Sequence, residues 1–232
     1  MSQSIVLLLV VTTILWAFSF SLIGEYLAGQ VDSWFSVLMR VGLAALVFLP
    51  FLRWKNIHWR VILLYMTVGS IQLGIIYLFS FRAYLYLTVP EFLLFTVMTP
   101  LYVTLIYDLL RRQRLRWGYA LSALLAVVGA AIIRYDHLSE HFWWGLLLVQ
   151  AANLCFAIGQ VGYKRLMEVH PIPQHVAFSW FYIGAFAVAV VAWFAFGNPQ
   201  KLPTTQLQWV VFVFLWLFFF LLGYLTVNYV AA

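Results

Sequence analysis

Long apolar runs, separated by short polar or proline-containing connections, make up most of this sequence. A helix needs about 20 apolar residues to cross the roughly 30 Å hydrocarbon core of a bilayer. Runs close to that length occur at 5–27, 34–52, 61–81, 91–110, 117–134, 142–163, 175–196 and 208–230. The pattern therefore predicts an all-α polytopic membrane protein with eight transmembrane helices and no soluble domain between them.

The composition agrees with a membrane location. Of the 232 residues, 66% are hydrophobic and 9% are charged, and the mean hydropathy of +0.98 is well above that of soluble domains. The single cysteine, Cys155, excludes an intrachain disulfide. The first apolar run is too long for a cleaved signal and follows a start without basic residues, so we interpret it as a retained helix.

Basic residues are concentrated in alternate connections. The formal net charge of +6 would on its own also suit a nucleic-acid-binding protein. Nine of the 13 lysines and arginines, however, fall on one side of the membrane if the N-terminus is cytoplasmic, and three fall on the other. This is the positive-inside pattern. We therefore expect a cytoplasmic N-terminus, contacts with anionic membrane lipids and no nucleic acid partner.

A weak internal repeat is visible when the chain is shifted against itself by 140 residues, which places Trp16 over Phe156. The matches predict a duplicated unit of five helices, and an odd number of helices per unit gives repeats of inverted topology. Residues 1–136 would form the first five-helix repeat. Residues 137–232 would form an incomplete second repeat of three helices, so we expect a longer protein of ten helices.

The fourth and fifth apolar runs carry the features of a known family. These are a Thr-Pro pair within the fourth run, a basic turn after it, and glycines in the fifth run, at Thr99-Pro100, 111–116, Gly118 and Gly129. The segment 83–135 resembles helices four and five of the EamA family in the drug/metabolite transporter superfamily. That family often has an acidic residue in the turn, which "RRQRL" lacks.

Segments such as "LMRVGLAALVFLPFLR" and "VGYKRLME" are similar to the biotin-transporting members of this family in enterobacteria. The resemblance implies a secondary transporter of the bacterial inner membrane that imports biotin, or a similar small carboxylate, by alternating access. Two alternatives remain: that the chain is an exporter of amino acids or other metabolites in the same family, or that it is an inactive membrane protein.

Arg40 is the deepest charge in the apolar runs. It lies six residues after Trp34, about 9 Å into the membrane at roughly 1.5 Å per residue. A charge at the bilayer centre costs about 2.5–3.5 kcal/mol on insertion scales. Its guanidinium is suited to binding a substrate carboxylate, or else it extends to the surface or binds backbone carbonyls. Its repeat equivalent, Trp180, has no charge, which favours the first interpretation.

Polar and aromatic residues recur on single faces of the first, third and sixth runs. We predict that they line a central substrate cavity together with Arg40: Trp16, Ser19, Tyr77, Asn153 and Gln160. The amides would hydrogen-bond a ureido ring, and the aromatic rings would pack on apolar rings. The alternative is that these residues hold helices together.

Glu91 follows Pro90 at the start of the fourth run. Its carboxylate is a candidate for proton coupling if burial raises its pKa, and a Glu in a first helical turn also complements the helix dipole.

Enzymatic chemistry is not indicated by the sequence. It contains no P-loop, and we interpret His137 and His141 as part of a solvated outer loop rather than a metal site. We therefore predict no enzyme, cofactor or metal. Small residues recur every four positions from Gly118 to Ala130, which favours close packing within the chain or in a homodimer.

Overall fold

The computed structural model of this chain describes residues 3–110 and 140–229, together with residues 118, 121, 125 and 128. All regular elements in these ranges are helical. The α-helices are α1 Gln3–Leu22, α2 Ser33–Phe48, α3 Trp59–Gly69, α4 Ile76–Ala83, α5 Val89–Thr96, α6 Thr99–Leu110, α7 Glu140–Val169, α8 Gln174–Phe196 and α9 Gln206–Tyr229. The predicted all-α class is confirmed for this part of the chain.

Five helical stretches are long and apolar enough to cross a membrane. They are Ser33–Phe51, Trp59–Ala83, Val89–Leu110, Phe142–Val169 and Gln174–Phe196. The first and last predicted runs are helical, with Thr13–Leu27 and Gln206–Leu217 as shorter apolar helices. The fifth predicted run, 117–134, lies outside the described residues except at four positions, so the count of eight stays a prediction.

Two of these spans are interrupted. A π-helical segment, Ser70–Ile75, joins α3 to α4 within the stretch Trp59–Ala83. Between α5 and α6 the regular helix stops for two residues just before Thr99 and Pro100. Proline lacks the N–H that would continue the hydrogen-bond ladder and clashes with the preceding turn, so a new helix begins there.

Helix α8 lies antiparallel to α2 along its whole length. The rings of Trp34 and Phe196 are 5.3 Å apart near one end, and those of Phe48 and Tyr182 stack at 4.9 Å near the other. The Ser179 hydroxyl donates to the Phe48 carbonyl at 2.8 Å. This pairing places the inner face of α2, which carries Arg40, against the centre of the bundle.

The other side of α8 packs backbone to backbone against α3. A Cβ atom at Gly69 would collide with the Phe181 backbone, and one at Gly184 would collide with the Met66 backbone. Glycine is required at both positions because only a residue without a side chain allows this approach. The close contact fixes the position of α3, and through it that of α4, beside α2.

Asp32 fixes where α2 begins. Its carboxylate accepts the Phe35 N–H at 2.9 Å and the Asn198 N–H at 3.3 Å, while its own N–H donates to the Lys201 carbonyl at 2.8 Å. The cap therefore ties the start of α2 to the turn after α8. Arg40 follows two helical turns later and is held at a fixed depth.

Candidate functional site

Arg40 is buried in the bundle, with 4% of its surface exposed. Its guanidinium carbon lies 4.5 Å from the centroid of the Tyr77 ring on α4, a favourable cation–π geometry. The Arg40 charge also interacts electrostatically with the phenol groups of Tyr84, which follows α4, and Tyr182 on α8. The side chain thus remains among α2, α4 and α8 instead of extending to the surface.

Unpartnered hydroxyl groups accompany this charge. Ser36 is fully buried and lies one turn before Arg40 on the same face of α2. Neither its hydroxyl nor that of the buried Tyr84 has a hydrogen-bond partner among the described residues. Leaving a buried polar group unsatisfied costs about 1–3 kcal/mol. A cation flanked by free hydroxyl donors is suited to an anion that accepts several hydrogen bonds.

Tyr84 is held in place by aromatic packing. Its ring stacks on Phe92 of α5, with centroids 4.3 Å apart. A side chain at Gly24 would meet this ring at 3.4 Å, so the end of the first helix also confines it. The Tyr84 hydroxyl is therefore a preorganised group of the site.

Glu91 is buried and acts as a helix cap. Its carboxylate accepts the Thr88 N–H at 2.7 Å and the Thr88 hydroxyl at 2.6 Å, which forms a capping box at the start of α5. These bonds agree with the alternative in which Glu91 serves the helix terminus. Its role in proton coupling stays a prediction.

The Asn153 amide on α7 is already engaged in the packing of helices. Its nitrogen donates to the Phe95 carbonyl at 2.9 Å and to the Gln150 side chain at 3.3 Å, and its oxygen accepts the Thr99 hydroxyl at 3.0 Å. These bonds join α7 to both sides of the break between α5 and α6. They favour the helix-holding alternative over substrate binding.

The remaining predicted site residues are scattered. Ser19 is buried and its hydroxyl has no hydrogen-bond partner among the described residues, whereas Gln160 is exposed on α7. The side chains of Trp16, His137 and His141 lie outside the described part of the chain. The structure thus brings Arg40 and Tyr77 together and places Gln160 at the surface.

Two cavities lie outside the Arg40 cluster. One of about 300 Å³ between α6 and α7 is lined by Tyr107, Leu110, Val161, Lys164, Arg165 and Glu168. The other, of about 400 Å³, lies between α2 and α9 and is lined by Leu43, Leu46, Val47, Pro50 and Trp216. Arg40 itself is enclosed by its neighbours, with little of its surface exposed.

The EamA-like transporter family model matches residues 3–135. The chain belongs to this family. The biotin transporters of Escherichia coli (strain K12) and Salmonella typhimurium are 67% and 68% identical to it over 222 residues. That match covers 96% of this chain and 74% of each relative. With its apolar spans, membership of this transporter family makes the chain a multi-pass membrane protein.

The fold also has a counterpart among solved structures. A crystal structure with 18% sequence identity aligns with a TM-score of 0.59 and covers 93% of this chain and 82% of the other. At this identity the similarity concerns the fold alone. It indicates that a similar arrangement of helices forms in the two chains although most of their side chains differ.

Sequence reasoning missed Ser36 and Tyr84. Ser36 could have been found from the sequence, because residues four apart in a helix share a face and Arg40 is already a candidate for binding a carboxylate. Tyr84 had no comparable signal, since it lies beyond the end of α4 and approaches the site only through its packing on Phe92.

We predict that Asn153→Ala lowers the stability of the EamA protein without changing its apparent KM for substrate. The variant leaves the Phe95 carbonyl and the Thr99 hydroxyl without their Asn153 partner. Interhelical hydrogen bonds in membranes contribute about 0.6–2 kcal/mol each. Thermal unfolding of the detergent-purified protein, combined with uptake kinetics, measures both effects. Ser21→Ala, at an exposed residue of α1, is the control, and a raised KM with unchanged stability would instead support substrate binding by Asn153.

Proposed function

We propose that this chain is a secondary transporter that imports biotin, or a similar small carboxylate, across the bacterial inner membrane by alternating access. The names of the similar transporters from Escherichia coli and Salmonella typhimurium support the substrate. The observation that carries the proposal is the buried Arg40 near Ser36 and Tyr84, whose hydroxyl groups have no hydrogen-bond partner among the described residues.

In this proposal the substrate carboxylate binds the Arg40 guanidinium. A guanidinium presents paired N–H donors that match the two oxygens of a carboxylate, and water is excluded from a site of such burial. Ser36 and Tyr84 donate further hydrogen bonds to the same oxygens. Tyr77 packs against the cation and restricts the orientations of the guanidinium, so less entropy is lost when the anion binds.

Alternating access rests on the proposed inverted repeats. Helices α2 and α8 correspond to each other at the offset of 140 residues, and in the structure they are antiparallel neighbours along their whole length. This is the relation expected of equivalent helices near a pseudo-two-fold axis. We propose inverted five-helix repeats and eight transmembrane helices for this chain, with a cytoplasmic N-terminus, contacts with membrane lipids and assembly as a homodimer.

Replacing Arg40 tests the binding mode. Arg40→Lys keeps the charge and loses the paired donors, so we expect the KM for labelled biotin to rise by about tenfold, equivalent to about 1.4 kcal/mol. Arg40→Ala removes the charge and should abolish uptake above background. Uptake is measured in bacteria that lack their own importer, after quantification of each variant in the membrane.

The matched control is Arg53→Lys, because Arg53 is exposed and contributes only its backbone carbonyl to the Trp180 indole. Undiminished uptake in Arg40→Ala would show that this residue is part of the scaffold.

Equal uptake with and without the wild-type protein would overturn the import proposal. Counterflow of labelled biotin from loaded vesicles separates this carrier from an exporter of other metabolites.

Glu91 is our candidate for coupling to protons. Glu91→Gln keeps a hydrogen-bond acceptor for Thr88 but cannot ionise, so uptake by this variant should become independent of external pH and of a protonophore. Uptake rates over a range of pH values measure the effect. A pH profile that matches the wild type would leave Glu91 with its capping role.

A further inference from the structure

Gln72 is a buried amide that the site described above does not use. It lies in the π-helical segment Ser70–Ile75, and 8% of its surface is exposed. Its side-chain oxygen has no hydrogen-bond partner among the described residues. An amide offers one acceptor and two donors, and a buried group of this kind in a native structure requires an explanation.

The space around Gln72 is shaped by glycine. A Cβ atom at Gly159 on α7 would collide with the Gln72 side chain. Since Gly159 has no side chain, Gln72 is able to extend between α7 and the π-helical segment. Both residues lie near the middle of their spans, Trp59–Ala83 and Phe142–Val169. Substrate sites of transporters with repeated units lie at this depth.

The π-helical segment changes which face Gln72 occupies. In a regular α-helix, residues five apart, such as Gln72 and Tyr77, point roughly 140° away from each other. In a π-helical turn, hydrogen bonds join residues five apart, so such residues come close to the same face. The segment thereby reduces the angle between Gln72, which lies within it and faces Gly159 on α7, and Tyr77, which follows it and contacts Arg40. Gln72 lies roughly 7 Å deeper along the helix at 1.5 Å per residue.

A substrate held at Arg40 by its carboxylate would extend its other end towards this depth. A cyclic urea, the head group of biotin, has N–H donors beside one carbonyl acceptor. A glutamine amide is complementary to it, because its oxygen accepts the urea N–H while its nitrogen donates to the urea carbonyl. We propose that Gln72 recognises the ureido ring of the substrate and that the π-helical segment exists to present it. This proposal rests on the proposed import of biotin.

The test compares biotin with 2-iminobiotin, in which a protonated imine replaces the urea carbonyl. Both compounds are used to compete with labelled biotin in uptake by cells that contain the full chain. In the wild type we expect the inhibition constant of 2-iminobiotin to be about tenfold higher than that of biotin. In Gln72→Leu this preference for biotin should fall to within about twofold. Gln72→Glu should reverse the preference, because a carboxylate accepts from the guanidine-like group.

A second variant changes the surroundings of the Gln72 side chain from the neighbouring helix α7. Gly159→Ala should displace Gln72 and reduce the same preference, while Gln206→Leu, at the exposed first residue of α9, should leave it unchanged. If Gln72→Leu does not accumulate in the membrane, Gly159→Ala and Gln72→Glu provide the comparison.

The outcomes separate the two proposals. A wild-type protein that fails to take up biotin overturns the proposed function. A wild-type protein that takes up biotin, while the Gln72 variants keep its preference over 2-iminobiotin, overturns the role of Gln72 and leaves the import function standing. A change in packing alone would weaken competition by both compounds equally. It would not make 2-iminobiotin the stronger competitor.

Discussion

The burial of one cation in an apolar helix bundle is the constraint on which this structure depends. Arg40 lies among aromatic and aliphatic side chains with 4% of its surface exposed, where a charge is costly. The Tyr77 ring offsets part of that cost. The uncompensated hydroxyl groups of Ser36 and Tyr84 add to it. An arrangement of this kind is expected where an anion completes the site during each transport cycle.

The packing of the bundle serves to hold that cation in place. Asp32 fixes the start of α2, and the antiparallel contact with α8 fixes its rotation. Gly69 and Gly184 allow α3 to approach α8 closely enough for α4 to reach Arg40. A larger side chain at either glycine would move α4, so the distance between Tyr77 and Arg40 depends on residues far from the site.

The polar residues within the membrane fall into two groups that the sequence does not distinguish. Asn153 closes hydrogen bonds with Phe95, Thr99 and Gln150, because the break before Pro100 leaves backbone groups of the fourth span to be satisfied. The side-chain oxygen of Gln72, in contrast, has no hydrogen-bond partner in the part of the chain that the structure describes. Periodicity alone does not tell these two cases apart, and the structure does so through the hydrogen bonds that each amide makes.

Much of the fold followed from the apolar runs, and five of them form helical stretches long and apolar enough to cross a membrane. Arg40 and Tyr77 were found because a deep charge and an aromatic stripe are visible in the sequence. Tyr84 and Gln72 were not, since Tyr84 lies beyond the end of a helix and is positioned by stacking, and Gln72 lies in a π-helical segment that α-helical periodicity does not predict.

We propose above all that Arg40 binds the carboxylate of the substrate. Equilibrium binding of biotin and of neutral biotin amide to the purified protein, in the wild type and in Arg40→Ala, tests it most directly. We predict that the wild type binds biotin at least about tenfold more tightly than the amide, and that Arg40→Ala binds the two equally. A preference for biotin that survives in Arg40→Ala, or a wild type without any preference, would contradict this account.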